Sequence, residues 1–110
     1  MIRTFIQTLE FIKCWKRMGF NDDDLHRLEM HILENPQVGA VIQGTGKLRK
    51  MRFSIENNGK SGSTRVCYVD FVSHETVYLI TAYPKSEKDN LTKTERNNIK
   101  KMIELLEKSL

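Results

Sequence analysis

The chain has 110 residues, a formal net charge of +4, 39% hydrophobic and 29% charged residues, which fits one domain spanning residues 1–110 and excludes a disordered polymer. No apolar run nears the roughly 18 residues that cross a bilayer, and Met1 to Thr8 is too often interrupted by polar residues for a signal-peptide core. A cytoplasmic protein is expected, with Cys14 and Cys67 as reduced core thiols, because they lie far apart in apolar surroundings without metal-ligand spacing.

Taken in chain order, the short β-branched stretch Ile2 to Ile6 predicts an opening strand. Leu9, Phe11, Ile12, Trp15 and Met18 recur at helical spacing and predict a first helix, ended by Gly19. Asn21 is a good N-cap, and Asp22, Asp23 and Asp24 suit the positive end of a helix dipole. Leu25, Leu28, Ile32 and Leu33 continue this second helix to Asn35-Pro36, where proline pushes its predecessor out of helical geometry. The two helices should form a hairpin. Leu48 to Ile55 then alternates, with Met51, Phe53 and Ile55 on one side and Lys50 and Arg52 on the other, as a half-buried strand does. Asn57 to Ser63 is loop by composition. Arg65 to Val72 and Thr76 to Tyr83 predict two more strands joined by a turn at Ser73-His74-Glu75, and Pro84 to Asn90 a charged loop. Thr92 and Glu95 form a capping box for a last helix, with Ile99, Met102, Ile103, Leu106 and Leu110 as its apolar stripe. The order β-α-α-β-β-β-α predicts an α+β fold, a mainly antiparallel sheet with helices mainly on one side and Lys50 and Arg52 on the other.

Charge is unevenly spread. Between Gly44 and Arg65 stand Lys47, Arg49, Lys50, Arg52, Lys60 and Arg65, opposed only by Glu56, whereas Asn21 to Glu34 is acidic. Such an imbalance suggests a face for a polyanion. Gly44-Thr45-Gly46-Lys47 is too short for a phosphate-binding P-loop and lacks a following helix, so it reads as a turn. His26 and His31 lie five apart, off the i, i+4 metal spacing, and His74 falls in a turn. No metal site and no cofactor are expected.

Three stretches occur in order: Ile42-Gln43-Gly44-Thr45-Gly46-Lys47-Leu48-Arg49-Lys50-Met51-Arg52, then Gly59-Lys60-Ser61-Gly62-Ser63-Thr64-Arg65-Val66-Cys67-Tyr68, then Tyr78 to Lys88 followed by Leu91-Thr92. Together they resemble the RelE/HigB family of toxins from bacterial toxin–antitoxin pairs, its HigB-like branch above all. The resemblance covers about Leu33 to Leu105, and the first thirty residues only in element order. It implies a compact curved sheet flanked by helices, and a metal-independent ribonuclease that enters the ribosome and cuts messenger RNA. In that chemistry the ribose 2′-hydroxyl attacks the adjacent phosphate. It further implies an antitoxin partner of the helix-turn-helix type. By position, Lys50, Arg52 and Arg65 match the family's strand cations, and Lys85 and Lys88 its late basic loop. The chain departs from the pattern at Ser86 and Leu91, where arginine and tyrosine are usual, and at Pro84, where glycine is.

The chemistry has its own logic. A phosphoryl transfer with an internal nucleophile needs positioning and charge stabilisation. Arg52 and Arg65 can offer fork-shaped donors to the phosphate, and Lys50, among other cations, is the candidate base. The departures leave the general acid for the leaving 5′-oxygen unassigned, with Lys85 or Lys88 as a stand-in. Lys47, Arg49, Lys60 and Lys88 would meet RNA or ribosomal phosphates, and Tyr83 would stack on a base. Two alternatives stay open on the same fold: a ParE-like inhibitor of DNA gyrase, and an RNA-binding protein without catalysis.

Overall fold

The computed structural model describes residues 2–54 and 63–110. Its elements run β1 (Thr4–Gln7), α1 (Leu9–Arg17), α2 (Asp22–Glu34), β2 (Ala40–Val41), β3 (Arg49–Phe53), β4 (Thr64–Phe71), a 3₁₀ turn (Val72–His74), β5 (Thr76–Pro84) and α3 (Lys93–Lys108). The strands form one sheet in the order β1-β5-β4-β3-β2, with β1 parallel to β5 and the other neighbours antiparallel. The expected α+β order is observed, with one addition: the two-residue β2, too short to leave a periodic signal, on the far edge.

Local chemistry explains the boundaries. The Asn21 side chain accepts from the Asp24 N–H while the Asp24 carboxylate accepts from the Asn21 N–H, and Thr92 and Glu95 reciprocate in the same way for α3. Asn35 is already extended when α2 stops before Pro36. The β4–β5 hairpin turns through Glu75, which takes a left-handed backbone (φ 49°).

Helices cover both faces of the sheet, not mainly one. On the first face α1 and α2 pack Phe11, Trp15, Leu28 and Ile32 against Met51, Phe53, Val66, Tyr68, Val77 and Leu79. Trp15 centres this layer, its ring 5.3 Å from Phe11, 4.3 Å from Phe20 and 5.6 Å from Phe53. On the second face α3 brings Ile103, with Leu91 before it, onto Leu48, Cys67, Val69, Phe71, Ile80 and Tyr83. The physical reason lies in β4, where every residue from Thr64 to Val69 is buried. A strand apolar on both sides needs two covering layers. Both cysteines are buried free thiols, and burial pushes the Cys67 thiol up to about 12.

Two details set β3 in place. The buried Tyr68 hydroxyl donates to the Pro36 carbonyl (2.8 Å) and accepts from the Gly39 N–H (3.0 Å). A Cβ on Gly39 would stand 2.9 Å from the Lys50 carbonyl oxygen, so only glycine lets this segment approach β3 so closely. The second detail is a bulge. Cys67 faces Thr81 but Tyr68 faces Leu79, so Ile80 is an extra residue in β5. The extra residue resets the alternation, and Tyr83 joins Ile80 on the face of α3 instead of Ala82.

Candidate functional site

Residues opposite one another on paired strands share a face. Lys50 stands opposite Cys67, Arg52 opposite Arg65, and Arg65 opposite Tyr83. Cys67 and Tyr83 belong to the layer under α3. Lys50 and Arg52 from β3 and Arg65 from β4 therefore gather on one face, beyond the stretch that α3 covers. Two arginines directly across a ladder repel each other, and nothing in the packing of an apolar layer calls for them.

The loop between β5 and α3 closes over these cations. Lys50 Nζ donates to the Asn90 side-chain oxygen (2.9 Å) and the Asp89 carbonyl (3.3 Å). Arg65 donates from Nη1 to Ser63 Oγ (2.7 Å) and from Nη2 to Asp89 Oδ1 (3.4 Å). Its side chain is 6% exposed, whereas that of Asp89 is 61% exposed. Arg65 is thus a nearly buried cation whose single acidic partner among the described residues comes from solvent. Arg52 is exposed, and among the described residues it has no hydrogen-bond or ion-pair partner. Lys85 is exposed at the end of β5, and its N–H donates to the Ser63 carbonyl (3.1 Å), next to the Arg65 anchor. What surrounds Lys50 adds to the sequence expectation: besides the cations Arg52 and Arg65 on its face, acceptors from Asp89 and Asn90 hold its amine.

The expected nucleic-acid contacts fare differently. Arg49, one residue out of phase with Lys50, sits opposite Tyr68 on the other face and donates to the Gly39 carbonyl (2.7 Å). Lys47 is ion-paired with Glu107 of α3, its amine 5.8 Å from the Phe71 ring centre. Lys88 pairs with Glu95 (2.6 Å) and lies 5.1 Å from the Tyr83 ring centre. That pair and the Thr92 N–H hold the Glu95 carboxyl below its usual range. Tyr83 itself is 2% exposed, so the expectation of an open base-stacking ring is not met. The bulge that turns this ring inward leaves no trace in the strand's residue pattern. Its hydroxyl is buried beside the Cys67 thiol without a well-formed hydrogen bond among the described residues, and desolvation raises its pKa. Lys60 lies outside the described residues.

Asp89, Asn90 and Ser63 are the partners that sequence reasoning missed. They stood in loops read only as charged or glycine-rich, and no periodicity marks a residue that reaches across a face. Among the described residues, no group of three or more His, Cys, Asp or Glu is placed to hold a metal ion, and no helix is long and apolar enough to cross a membrane.

Residues 2–109 match the family described as the RelE toxin of the RelE/RelB toxin–antitoxin system. Among solved structures, an arginine-to-alanine double mutant of the Escherichia coli toxin RelE in the free state superposes with a TM-score of 0.56 at 16% identity, over 81% of this chain and 90% of that one. A chain of the intact E. coli RelBE toxin–antitoxin complex gives 0.54 at 15% identity, over 74% and 94%. The same double mutant bound to an antitoxin RelB peptide gives 0.54 at 14% identity, over 84% and 98%. At these identities the likeness is one of fold.

Proposed function

Because this chain belongs to the RelE toxin family, we propose that it acts as the toxin of a toxin–antitoxin pair in the cytoplasm, as an endoribonuclease that cuts messenger RNA on the ribosome. The observation that carries this reading is the meeting of Lys50, Arg52 and Arg65 on one face, with Arg52 and Arg65 directly opposed across two strands. Such a pair is unfavourable alone and becomes favourable when a phosphate sits between the guanidinium groups.

In the proposed reaction the ribose 2′-oxygen attacks the adjacent phosphorus. The bond from phosphorus to the 5′-oxygen of the next nucleotide breaks, leaving a 2′,3′-cyclic phosphate and a free 5′-hydroxyl. Arg65 and Arg52 stabilise the charge that builds on the non-bridging oxygens. Ser63 holds one nitrogen of the Arg65 guanidinium, so the fork is oriented before substrate arrives. Lys50, once released from Asn90 and Asp89, is the residue assigned to receive the 2′-hydroxyl proton. Lys85 supplies the proton for the leaving 5′-oxygen. The partner is a cognate antitoxin, proposed from the family and from the antitoxin-bound relatives.

Primer extension on messenger RNA, with purified protein and programmed ribosomes, tests the reading. Codon-positioned cuts are expected, ending in cyclic phosphate. Intact message under these conditions, or arrested DNA gyrase in its place, overturns it.

A further inference from the structure

A second basic concavity lies apart from the Lys50–Arg52–Arg65 face. It is a groove of about 380 Å³ between the β2–β3 turn and the first half of α3, lined by Ile42, Gln43, Gly44, Lys93, Arg96 and Asn97. We propose that this groove is a binding subsite for an RNA backbone phosphate outside the scissile step, with Lys93 and Arg96 as its cations and the carboxamides of Gln43 and Asn97 as further donors. The proposal rests on the RNA-cutting reading above and extends it to residues which that reading leaves without a task.

Four observations carry it. The lining holds two cations and two carboxamides but no carboxylate, a donor set that suits a phosphate and rejects a cation. Neither Lys93 nor Arg96 has an acidic partner among the described residues. The nearest acid in sequence, Glu95, is turned away, bonded to Lys88 (2.6 Å) and to the Thr92 N–H (2.8 Å). Arg96 is also held in place, because its Nη1 donates to the Leu91 carbonyl (3.0 Å) while its other side-chain nitrogens have no partner among the described residues. That carbonyl belongs to the residue after Asn90, which holds Lys50. One loop thus contacts both Arg96 of the groove, through Leu91, and Lys50 of the central cations, through Asn90, and a polyanion can engage more than one such cation group along its length.

The test compares wild type with Lys93→Ala/Arg96→Ala and with Gln43→Glu. The second variant places a negative charge in the groove from the β2–β3 turn and leaves α3 untouched. Cleavage on programmed ribosomes is measured against enzyme concentration and salt, and binding to a free 2′-O-methyl RNA 12-mer is measured alongside. Both variants are expected to bind about fivefold more weakly at 0.1 M salt, with the salt slope of log affinity lower by about 0.7 in the double alanine variant, the share of one single-strand phosphate. The cleavage rate at saturation should stay within twofold of wild type. A defect on free RNA and ribosome alike places the phosphate in the message, and a defect on the ribosome alone places it in ribosomal RNA. If wild type cuts and both folded variants match it on free RNA and on the ribosome alike, in affinity and salt slope, the groove proposal falls and the cleavage reading stands. If wild type does not cut, both fall.

Discussion

Replacing Asp89 with alanine should tighten RNA binding at a stability cost of no more than about 1 kcal/mol. Asp89 is the one acidic partner of Arg65 among the described residues, at 3.4 Å, and its side chain is 61% exposed against 6% for the arginine. An ion pair with one member in solvent contributes about 0–1 kcal/mol, so the loss should lower the melting temperature by no more than about 8 °C in a domain of this size. An incoming phosphate must displace the same carboxylate and then bear its repulsion. Removing it should strengthen binding by up to about 1 kcal/mol, or roughly fivefold in Kd. The gain should fade as salt screens the repulsion, with a Debye length near 10 Å at 0.1 M and about 3 Å at 1 M. Asp89→Asn, which keeps an oxygen for Arg65 without the charge, should fall between wild type and alanine. The assay is fluorescence anisotropy with a 2′-O-methyl RNA 12-mer at low and high salt, beside thermal unfolding. A folded Asp89→Ala protein that binds RNA more weakly than wild type would refute the reasoning, because the carboxylate would then be needed to present Arg65 and not merely to occupy it.

Arg65→Ala should abolish cutting, by at least about 100-fold as for loss of one charge-stabilising donor, with a retained circular-dichroism spectrum; Arg65→Lys should restore only part, since an ammonium cannot reproduce the fork. Binding that uses about four single-strand phosphates should weaken roughly fiftyfold for a fourfold rise in salt, and a flat response would argue against a phosphate-driven interface. Tyr68→Phe removes the hydroxyl that joins Pro36 to Gly39 and should cost about 1–3 kcal/mol in urea unfolding. Stability should also fall with alkali: an exposed thiol ionises near 9 while buried Cys67 holds its proton to about 12, so the unfolded state binds fewer protons across that window. The stability this group contributes is full below pH 9 and declines toward pH 12, by up to about 1.4 kcal/mol per pH unit, and Cys67→Ala should flatten that limb.

Much of the architecture could be read from spacing alone. The alternation of Met51 and Phe53 with Lys50 and Arg52 assigned each to its face, and both capping boxes marked where helices begin. The same alternation already set Arg49 out of phase with Lys50, so counting charge along the segment grouped residues that the pleat separates. What stayed hidden depends on partners distant in sequence. The register that sets Arg52 across from Arg65 is a property of how β3 and β4 pair, and the residue pattern of neither strand specifies it. The extra residue at Ile80, which decides that Tyr83 turns inward, leaves an ordinary apolar strand pattern. The reach of Asp89 and Asn90 over Lys50 is a property of a loop folded against a finished sheet. The second helical layer was foreshadowed by the unbroken run Val66 to Val69, which has no solvent-facing positions to offer.

Arg65 grows from β4, which is the middle strand of five and is paired along both sides. Its amide hydrogens should be among the slowest in the molecule to exchange, opening only when the whole domain does. The backbone that carries the guanidinium should therefore stay in place until the domain as a whole opens. Agents that erode the fold should lower the number of working molecules and leave the turnover of each survivor unchanged, so that titrated loss of potency tracks the unfolded fraction and nothing else.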